Sequence, residues 1–214
     1  MPPLDLRPLL QKSESESSSA WDLGNDVLYQ LCATHSGHKL VQEVVAKIWL
    51  IGRSYAAAIE RRRNKTKDEL NDDFYVKVAA PAIIDSDIDL WLSTARAAVQ
   101  VPQSESQNVL LETHAKTTDL FKSISKQGKR SLASKYLHFH VRDLYFIYDK
   151  RAVEAISQLS SIVGRATRSS ATADNEYRKF VEKCVRLQAH LREEYNLKLT
   201  PRQLDKLLLE VHAR

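Results

Sequence analysis

Apolar residues recur at steps of three and four along most of this chain, which is the spacing of an amphipathic helix. The longest pattern covers residues 38–63, and Gly52 interrupts it. Shorter patterns predict further helices over 22–33, 68–79, 85–99, 108–125, 131–140, 150–163, 174–195 and from 200 onward. The run 144–148 has strand propensity, but no second strand is available to pair with it. The pattern therefore predicts an all-α fold.

Helix ends are indicated by residues that favour caps and breaks. Asp22 and either Asp85 or Ser86 are candidate N-caps, and Pro81 is expected to stop the helix before it. Thr200 and Pro201 form an N-cap and first-position pair for the last helix. Gly164 ends the 150–163 helix, and Gly52 requires either close packing or a kink.

Polar stretches divide the chain into predicted parts. Residues 1–20 are rich in Pro, Ser and Glu and are predicted to form a flexible N-terminal segment. The polar linker 101–106 separates a helical subdomain, 21–101, from a second subdomain, 107–164. The remaining helices, 174–214, are expected to pack on the core.

Composition limits the function classes. The 214 residues carry a formal charge of +5, which suits a polyanionic partner without demonstrating one. Cys32 and Cys184 have no C-x-x-C spacing, so neither a metal site nor a cofactor is expected. Two buried free thiols are expected, with a disulfide between them as the alternative. Motifs of P-loop, zincin and α/β-hydrolase enzymes do not occur. Without a signal-peptide pattern or an apolar stretch of membrane-spanning length, the chain is expected to be cytoplasmic, with no membrane partner. Its oligomeric state is left open.

The segment 122–151 carries the strongest local bias. It contains eight Lys and Arg residues against two acids, Asp143 and Asp149, and aromatic residues are interleaved with them. Cations neutralise phosphates, and aromatic faces stack on bases. The turn before Ser131 would direct backbone N–H groups at an anion. Asp149 stands directly before a predicted helix, so it is either an N-cap, a catalytic carboxylate or both.

This segment resembles the helix-hairpin-helix DNA glycosylase superfamily, nearest to its adenine-glycosylase pattern. The resemblance rests on Gly128-Lys129-Arg130-Ser131-Leu132-Ala133 and on Phe146-Ile147-Tyr148-Asp149, with Ser131 and Asp149 eighteen residues apart as in that pattern. It implies two helical subdomains around a base-binding cleft, with Asp149 as the catalytic residue. DNA would contact the hairpin and the helix after it, at Gly128, Lys129, Arg130, Ser131 and Lys135.

The resemblance implies a protein that binds duplex DNA with one base flipped out and hydrolyses its N-glycosidic bond. A carboxylate such as Asp149 stabilises the positive charge that develops on the deoxyribose. Bifunctional members have a Schiff-base lysine where Ser131 stands, so a monofunctional glycosylase is expected. Lys129 stands where the family has a second hairpin glycine, and this supports two alternatives: a non-catalytic DNA-binding module and a helical protein-interaction module.

Five further residues are candidates for the base pocket. Tyr145 and Tyr148 would stack on a base, or else be buried against neighbouring helices. One of His138 and His140 would line the cleft, or both would be ordinary core or surface histidines. Arg53 follows Gly52 within a helix and is a candidate for the same cleft.

Overall fold

A computed structural model describes residues 6–10, 20–61, 71–167 and 174–214. Helices make up most of these ranges and no strand occurs in them, so the all-α prediction is confirmed. The helices are α1 (Ala20–Thr34), α2 (Val41–Ser54), α3 (Asn71–Phe74), a π-helix (Tyr75–Ala79), α4 (Ala80–Ile84), α5 (Ile88–Ala98), α6 (Gln103–Ser125), α7 (Arg130–His140), α8 (Lys150–Gln158), α9 (Ser160–Val163), α10 (Asn175–Tyr195) and α11 (Pro201–His212).

The chain divides into two compact units. The central unit is Ala20–Tyr145, and the terminal unit combines Met1–Ser19 with Phe146–Arg214. The division falls inside the predicted subdomain 107–164, and the predicted boundaries stay predictions. Most of the predicted flexible segment 1–20 lies outside the described residues, but within 6–10 three leucines are buried: Leu6, Leu9 and Leu10.

In the central unit, helix α2 is shorter than its pattern predicts. The pattern extends to residue 63, but the helix ends at Ser54 and the chain turns at Ala56, whose φ is +50°. The turn brings Ala58 back against Gly52, so a Cβ atom added to Gly52 would lie 3.0 Å from the Cα atom of Ala58. Close packing of backbone therefore explains the glycine. The basic residues 62–65 lie outside the described residues.

Two glycines give a matched test of this packing. Gly52→Ala gains about 1 kcal/mol of helix propensity but forces backbone apart, which costs about 1–3 kcal/mol, so we expect a net loss of stability of about 1 kcal/mol. In the control, Gly128→Ala, the new Cβ meets nothing within 4 Å, and we expect stability within about 0.5 kcal/mol of wild type. Urea unfolding measures both. Equal stability of the two variants would contradict the packing explanation.

Three predicted helix ends are wrong. Helix α1 begins at Ala20, so Asp22 lies in its first turn and is not its N-cap. Pro81 does not stop the helical conformation, because the chain continues from the π-helix directly into α4. Pro81 lies in the first turn of α4, where a missing N–H is tolerated. Helix α5 begins at Ile88, and the residue before it, Asp87, makes no side-chain cap. Ser86 lies one residue before the N-cap position, and its Oγ atom accepts a hydrogen bond from the Ile88 N–H at 3.4 Å.

The helix ends in the terminal unit agree better with the sequence. Thr200 is the N-cap of α11 and Pro201 lies in its first turn, as predicted. Thr200 and Gln203 also form a reciprocal capping box. Gly164, with a φ of +66°, follows the end of α9. The polar side of α10 is held by Glu182, whose carboxylate pairs with Arg178 at 3.2 Å and with Arg186 at 2.5 Å. Apolar residues of α10 and α11, such as Leu187 and Leu207, are fully buried.

The two cysteines are buried free thiols, as predicted. Burial raises the pKa of the Cys32 thiol to about 12, so this thiol stays protonated at neutral pH. None of the described helices has the length and apolar character that crossing a bilayer requires.

Candidate functional site

The predicted site residues are shared between the two units. Tyr148 and Asp149 belong to the terminal unit. The other nine belong to the central unit: Arg53, Gly128, Lys129, Arg130, Ser131, Lys135, His138, His140 and Tyr145.

In the terminal unit, Asp149 is the N-cap of α8. Its backbone is extended, with φ −151° and ψ −179°, and its Oδ1 atom accepts a hydrogen bond from the Ala152 N–H at 3.0 Å. The residue is half-buried. This geometry fixes the direction of the carboxylate and places it at the positive end of the α8 dipole. Capping is therefore observed, while the catalytic role stays a prediction.

The segment before Asp149 is anchored to α10. The Tyr177 hydroxyl donates to the Phe146 carbonyl at 3.0 Å, and both residues are buried. The half-buried ring of Tyr148 meets the rings of Tyr177 and Phe180 edge-on, the latter at 5.3 Å between centroids. These contacts supply the aromatic packing that the sequence left as an alternative to base stacking by Tyr148.

In the central unit, the predicted hairpin is a short turn between α6 and α7. Helix α6 ends at Ser125, and Lys126 then adopts a left-handed conformation with φ +58°. The Ser125 hydroxyl donates to the Phe121 carbonyl at 2.7 Å. The turn lines a groove of about 260 Å³, whose walls include Gly128, Ser131 and Arg61. Part of the predicted DNA-binding segment therefore faces a groove with an exposed arginine beside it.

The two lysines of this segment do not lie at the surface. The Lys129 side chain is buried, and its ammonium donates to the carbonyls of Arg61 at 2.7 Å and Ala58 at 3.4 Å. Lys135 is only 1% exposed and donates to the Ser131 hydroxyl at 2.8 Å, with its ammonium 5.6 Å from the centre of the Tyr55 ring. Both contacts favour structural roles for these lysines.

Lys129 yields a stability prediction. Lys129→Met keeps most of the apolar stem but leaves the two carbonyls without their charged donor, so we expect a loss of about 2 kcal/mol in the free energy of unfolding. The control, Lys122→Met, changes an exposed lysine on α6 and is expected to stay within about 0.5 kcal/mol of wild type. Urea titrations measure both. If Lys129→Met were as stable as Lys122→Met, the structural role of Lys129 would be wrong.

Arg53, a base-pocket candidate, has a carboxylate partner. It lies in the last turn of α2, is half-exposed, and pairs with Glu60 at 2.6 Å. Glu60 is buried and also accepts a short hydrogen bond from the Tyr75 hydroxyl at the start of the π-helix. Burial and this hydrogen bond raise the pKa of Tyr75. The cluster ties the turn after α2 to the π-helix.

Two more candidates, His138 and Tyr145, are completely buried. His138 Nδ1 donates to the Tyr145 carbonyl at 2.7 Å, and His138 Nε2 accepts from the Tyr29 hydroxyl at 2.6 Å. Since both ring nitrogens are used inside the unit, His138 fits the alternative of an ordinary core histidine. Burial raises the pKa of the Tyr145 hydroxyl, which therefore stays protonated.

His140 lines a second groove, of about 380 Å³, formed by residues of α1 and α5 and by the end of α7 with the residues after it. His140 Nδ1 donates to the Tyr136 carbonyl at 2.7 Å. Burial, together with the nearby charges of His38 and Lys47, holds the pKa of His140 well below its usual range, so the ring is neutral near pH 7.

Asp89, His38 and Tyr136 form a chain of hydrogen-bonded side chains, the polar relay, which lies beside His140 and was not predicted from the sequence. His38 Nδ1 donates to Asp89 Oδ1 at 2.6 Å, and His38 Nε2 accepts from the Tyr136 hydroxyl at 2.7 Å. Burial and the charge of Lys47 lower the pKa of His38 to about 4. Burial acts to raise the pKa of Asp89, but hydrogen bonds from His38 outweigh it and lower that pKa.

Lys47 is a buried cation close to the polar relay. It is fully buried, and its ammonium donates to the carbonyls of His35 at 2.8 Å and Gly37 at 2.7 Å. Burial lowers the pKa of Lys47. The relay joins residues 51 and 98 positions apart, so no local motif could have shown it. Among the described residues, no group of three or more His, Cys, Asp and Glu is placed to hold a metal ion.

Comparisons with protein-family models, curated proteins and solved structures gave no significant match to this chain.

Proposed function

We propose that this chain is a DNA glycosylase-like protein that binds duplex DNA and hydrolyses the N-glycosidic bond of a damaged or modified base. The observation that carries the proposal is the Asp149 carboxylate, held in one direction by its hydrogen bond from the Ala152 N–H. A carboxylate fixed before the reaction stabilises developing positive charge without having to reorganise. The finer fold, two helical subdomains of helix-hairpin-helix type around a cleft, belongs to the same proposal.

The proposed reaction is a hydrolysis at C1′ of the deoxyribose. The target nucleotide leaves the base stack, and the bond between C1′ and the base nitrogen breaks with its electron pair going to the base. Asp149 stabilises the oxocarbenium-like sugar until water adds at C1′, and the proton that the water loses balances the negative charge on the departed base. Ser131 stands where bifunctional glycosylases have a Schiff-base lysine, and its hydroxyl accepts a hydrogen bond from Lys135. Since a serine has no amine, no covalent lysine intermediate is part of the proposal.

The hairpin groove is the proposed contact for the DNA backbone. Ser131 offers a hydroxyl in this groove, Arg61 offers an exposed guanidinium, and the N-terminus of α7 favours an anion. Arg130, partly exposed at the first position of α7, is the adjacent cation. Because the ammonium groups of Lys129 and Lys135 are buried, we assign contact with the DNA backbone to Arg61, Arg130 and Ser131.

The test is a strand-scission assay on a panel of duplexes, each with one damaged, mismatched or modified base. Hot alkali cleaves DNA wherever a base has been removed, so excision appears as a shortened labelled strand. We expect scission for at least one lesion, with none in the undamaged duplex. Scission of no duplex in a broad panel would overturn the enzymatic proposal.

A second candidate is a helical DNA-binding module without catalysis. Two observations favour it: the N-cap hydrogen bond by itself accounts for the position of Asp149, and Arg61 and Arg130 remain accessible at the hairpin groove. This candidate expects DNA affinity that falls with added salt and with Arg130→Ala but is unchanged by Asp149→Asn. Absence of binding at low salt would leave the protein-interaction alternative.

A further inference from the structure

The groove lined by His140 has the composition of a site for an anionic aromatic ligand. It has a volume of about 380 Å³, which is within the range of small-molecule sites. Its walls include two arginines and three rings: Arg96, Arg142, Tyr29, Phe139 and His140. All of these residues belong to the central unit.

The charge of the groove is positive. Arg96 and Arg142 are both exposed, and the carboxylate among the lining residues is that of Asp143, which lies 3.8 Å from Arg142. Arg96 makes a long hydrogen bond of 3.5 Å to the Ser36 carbonyl. Within the ranges that the structure describes, neither arginine is held in a short ion pair, so each guanidinium retains donors for a phosphate.

The rings form a platform on which a base can stack. The Tyr29 ring lies 4.9 Å from the Phe139 ring, and the Arg142 guanidinium lies 5.8 Å from the centre of the Tyr29 ring. The Tyr29 hydroxyl donates to His138, and this bond fixes the orientation of the ring. Guanidinium and aromatic planes are the surfaces on which proteins stack single bases.

We propose that this groove binds one nucleotide, with its phosphate on Arg96 and Arg142 and its base on the Tyr29 ring. The ligand is a nucleoside monophosphate, either as a free molecule or as a unit of a single-stranded nucleic acid. The site uses neither Asp149 nor the hairpin groove, so the inference does not rest on the proposed glycosylase activity.

The experiment is calorimetric titration of the full chain with each nucleoside 5′-monophosphate, its nucleoside, and inorganic phosphate. At least one monophosphate is expected to bind about tenfold or more tightly than either of its parts, because base and phosphate are held together. If inorganic phosphate bound as tightly as the nucleoside monophosphates, the groove would be a site for anions in general and the proposal would be overturned. Failure of every monophosphate and of a short single-stranded oligonucleotide would overturn it as well.

Variants locate the site. Arg96→Gln and Arg142→Gln are each expected to weaken nucleotide binding about tenfold, the loss expected for one charged contact. Arg192→Gln, an exposed arginine on α10, is the matched control and should bind as wild type. Undiminished binding by both groove variants would place the nucleotide elsewhere and overturn the proposal.

Two further measurements are needed. One distinguishes a free nucleotide from a nucleic-acid chain as the ligand, and the other distinguishes the nucleotide site from the proposed glycosylase activity. Tighter binding of the oligonucleotide than of any monophosphate would assign the groove to a nucleic-acid chain, and the reverse would assign it to a free nucleotide. Asp149→Asn is expected to leave this binding unchanged. Loss of base excision and loss of nucleotide binding are therefore distinguishable failures.

Discussion

Asp149→Asn is expected to lower base excision by about a hundredfold or more while the protein stays as stable as wild type. The reduction follows from removing a preorganised charge from the site where positive charge develops, an effect typically of about 10²–10³ in rate. Stability is preserved because Asn is as good an N-cap as Asp and can accept the Ala152 N–H bond. The measurement is the single-turnover rate of alkali-labile strand formation on the best duplex of the panel.

The controls separate charge from capping. Asp149→Ala removes both and is expected to lose about 1 kcal/mol of stability in addition to the activity. Asp174→Asn changes the N-cap of α10, whose carboxylate accepts from the Glu176 and Tyr177 N–H groups, and should keep full activity. Wild-type excision by Asp149→Asn would show that this aspartate is only a cap.

Acidification from about pH 7 to about pH 4.5 is expected to lower the free energy of unfolding of the central unit by about 2–3 kcal/mol through His38 alone. The unfolded His38 binds a proton near its ordinary pKa of 6.5, whereas the folded residue binds one only near pH 4. Between these values the unfolded state holds more protons, so stability falls as the pH falls. The lowered pKa of His140 acts in the same direction.

Tryptophan fluorescence during urea unfolding is the appropriate measurement, because Trp21, Trp49 and Trp91 all lie in the central unit. His38→Gln removes the titrating ring, so its stability is expected to be lower than wild type at neutral pH and to approach it at acid pH. His190→Gln, in the terminal unit, is expected to keep the wild-type pH profile. A pH profile of His38→Gln parallel to that of wild type would contradict the assignment.

Features that depend on local sequence were predicted best. Helix α7 starts one residue before its predicted start, and α10 is one residue shorter than its pattern. The Thr200 cap and the Gly164 break are found at their predicted positions, the first through a side-chain hydrogen bond and the second through a left-handed backbone. Local hydrogen bonds and backbone preferences decide such positions, and neighbouring residues are enough to show them.

Predictions that depended on distant neighbours were less complete. The end of α2 at Ser54 depends on the return of residue 58 onto Gly52, and the helical periodicity continues past that point. Lys129 and Lys135 stand in a basic run that indicates an exposed surface, yet their ammonium groups are satisfied by carbonyls 68 and 71 residues away and by a serine hydroxyl. Charge in the sequence does not reveal which cations find internal partners.

The sequence by itself therefore determined the helical class, several of the helix ends and the place of Asp149 before a helix, because each follows from spacing or from the chemistry of adjacent residues. Only the tertiary structure decided that His138 lies in the core, that His38 connects Asp89 to Tyr136, and that Arg96 and Arg142 line the same groove. These contacts join residues far apart in the chain, and packing of the helices is what brings them within hydrogen-bond distance or into one groove.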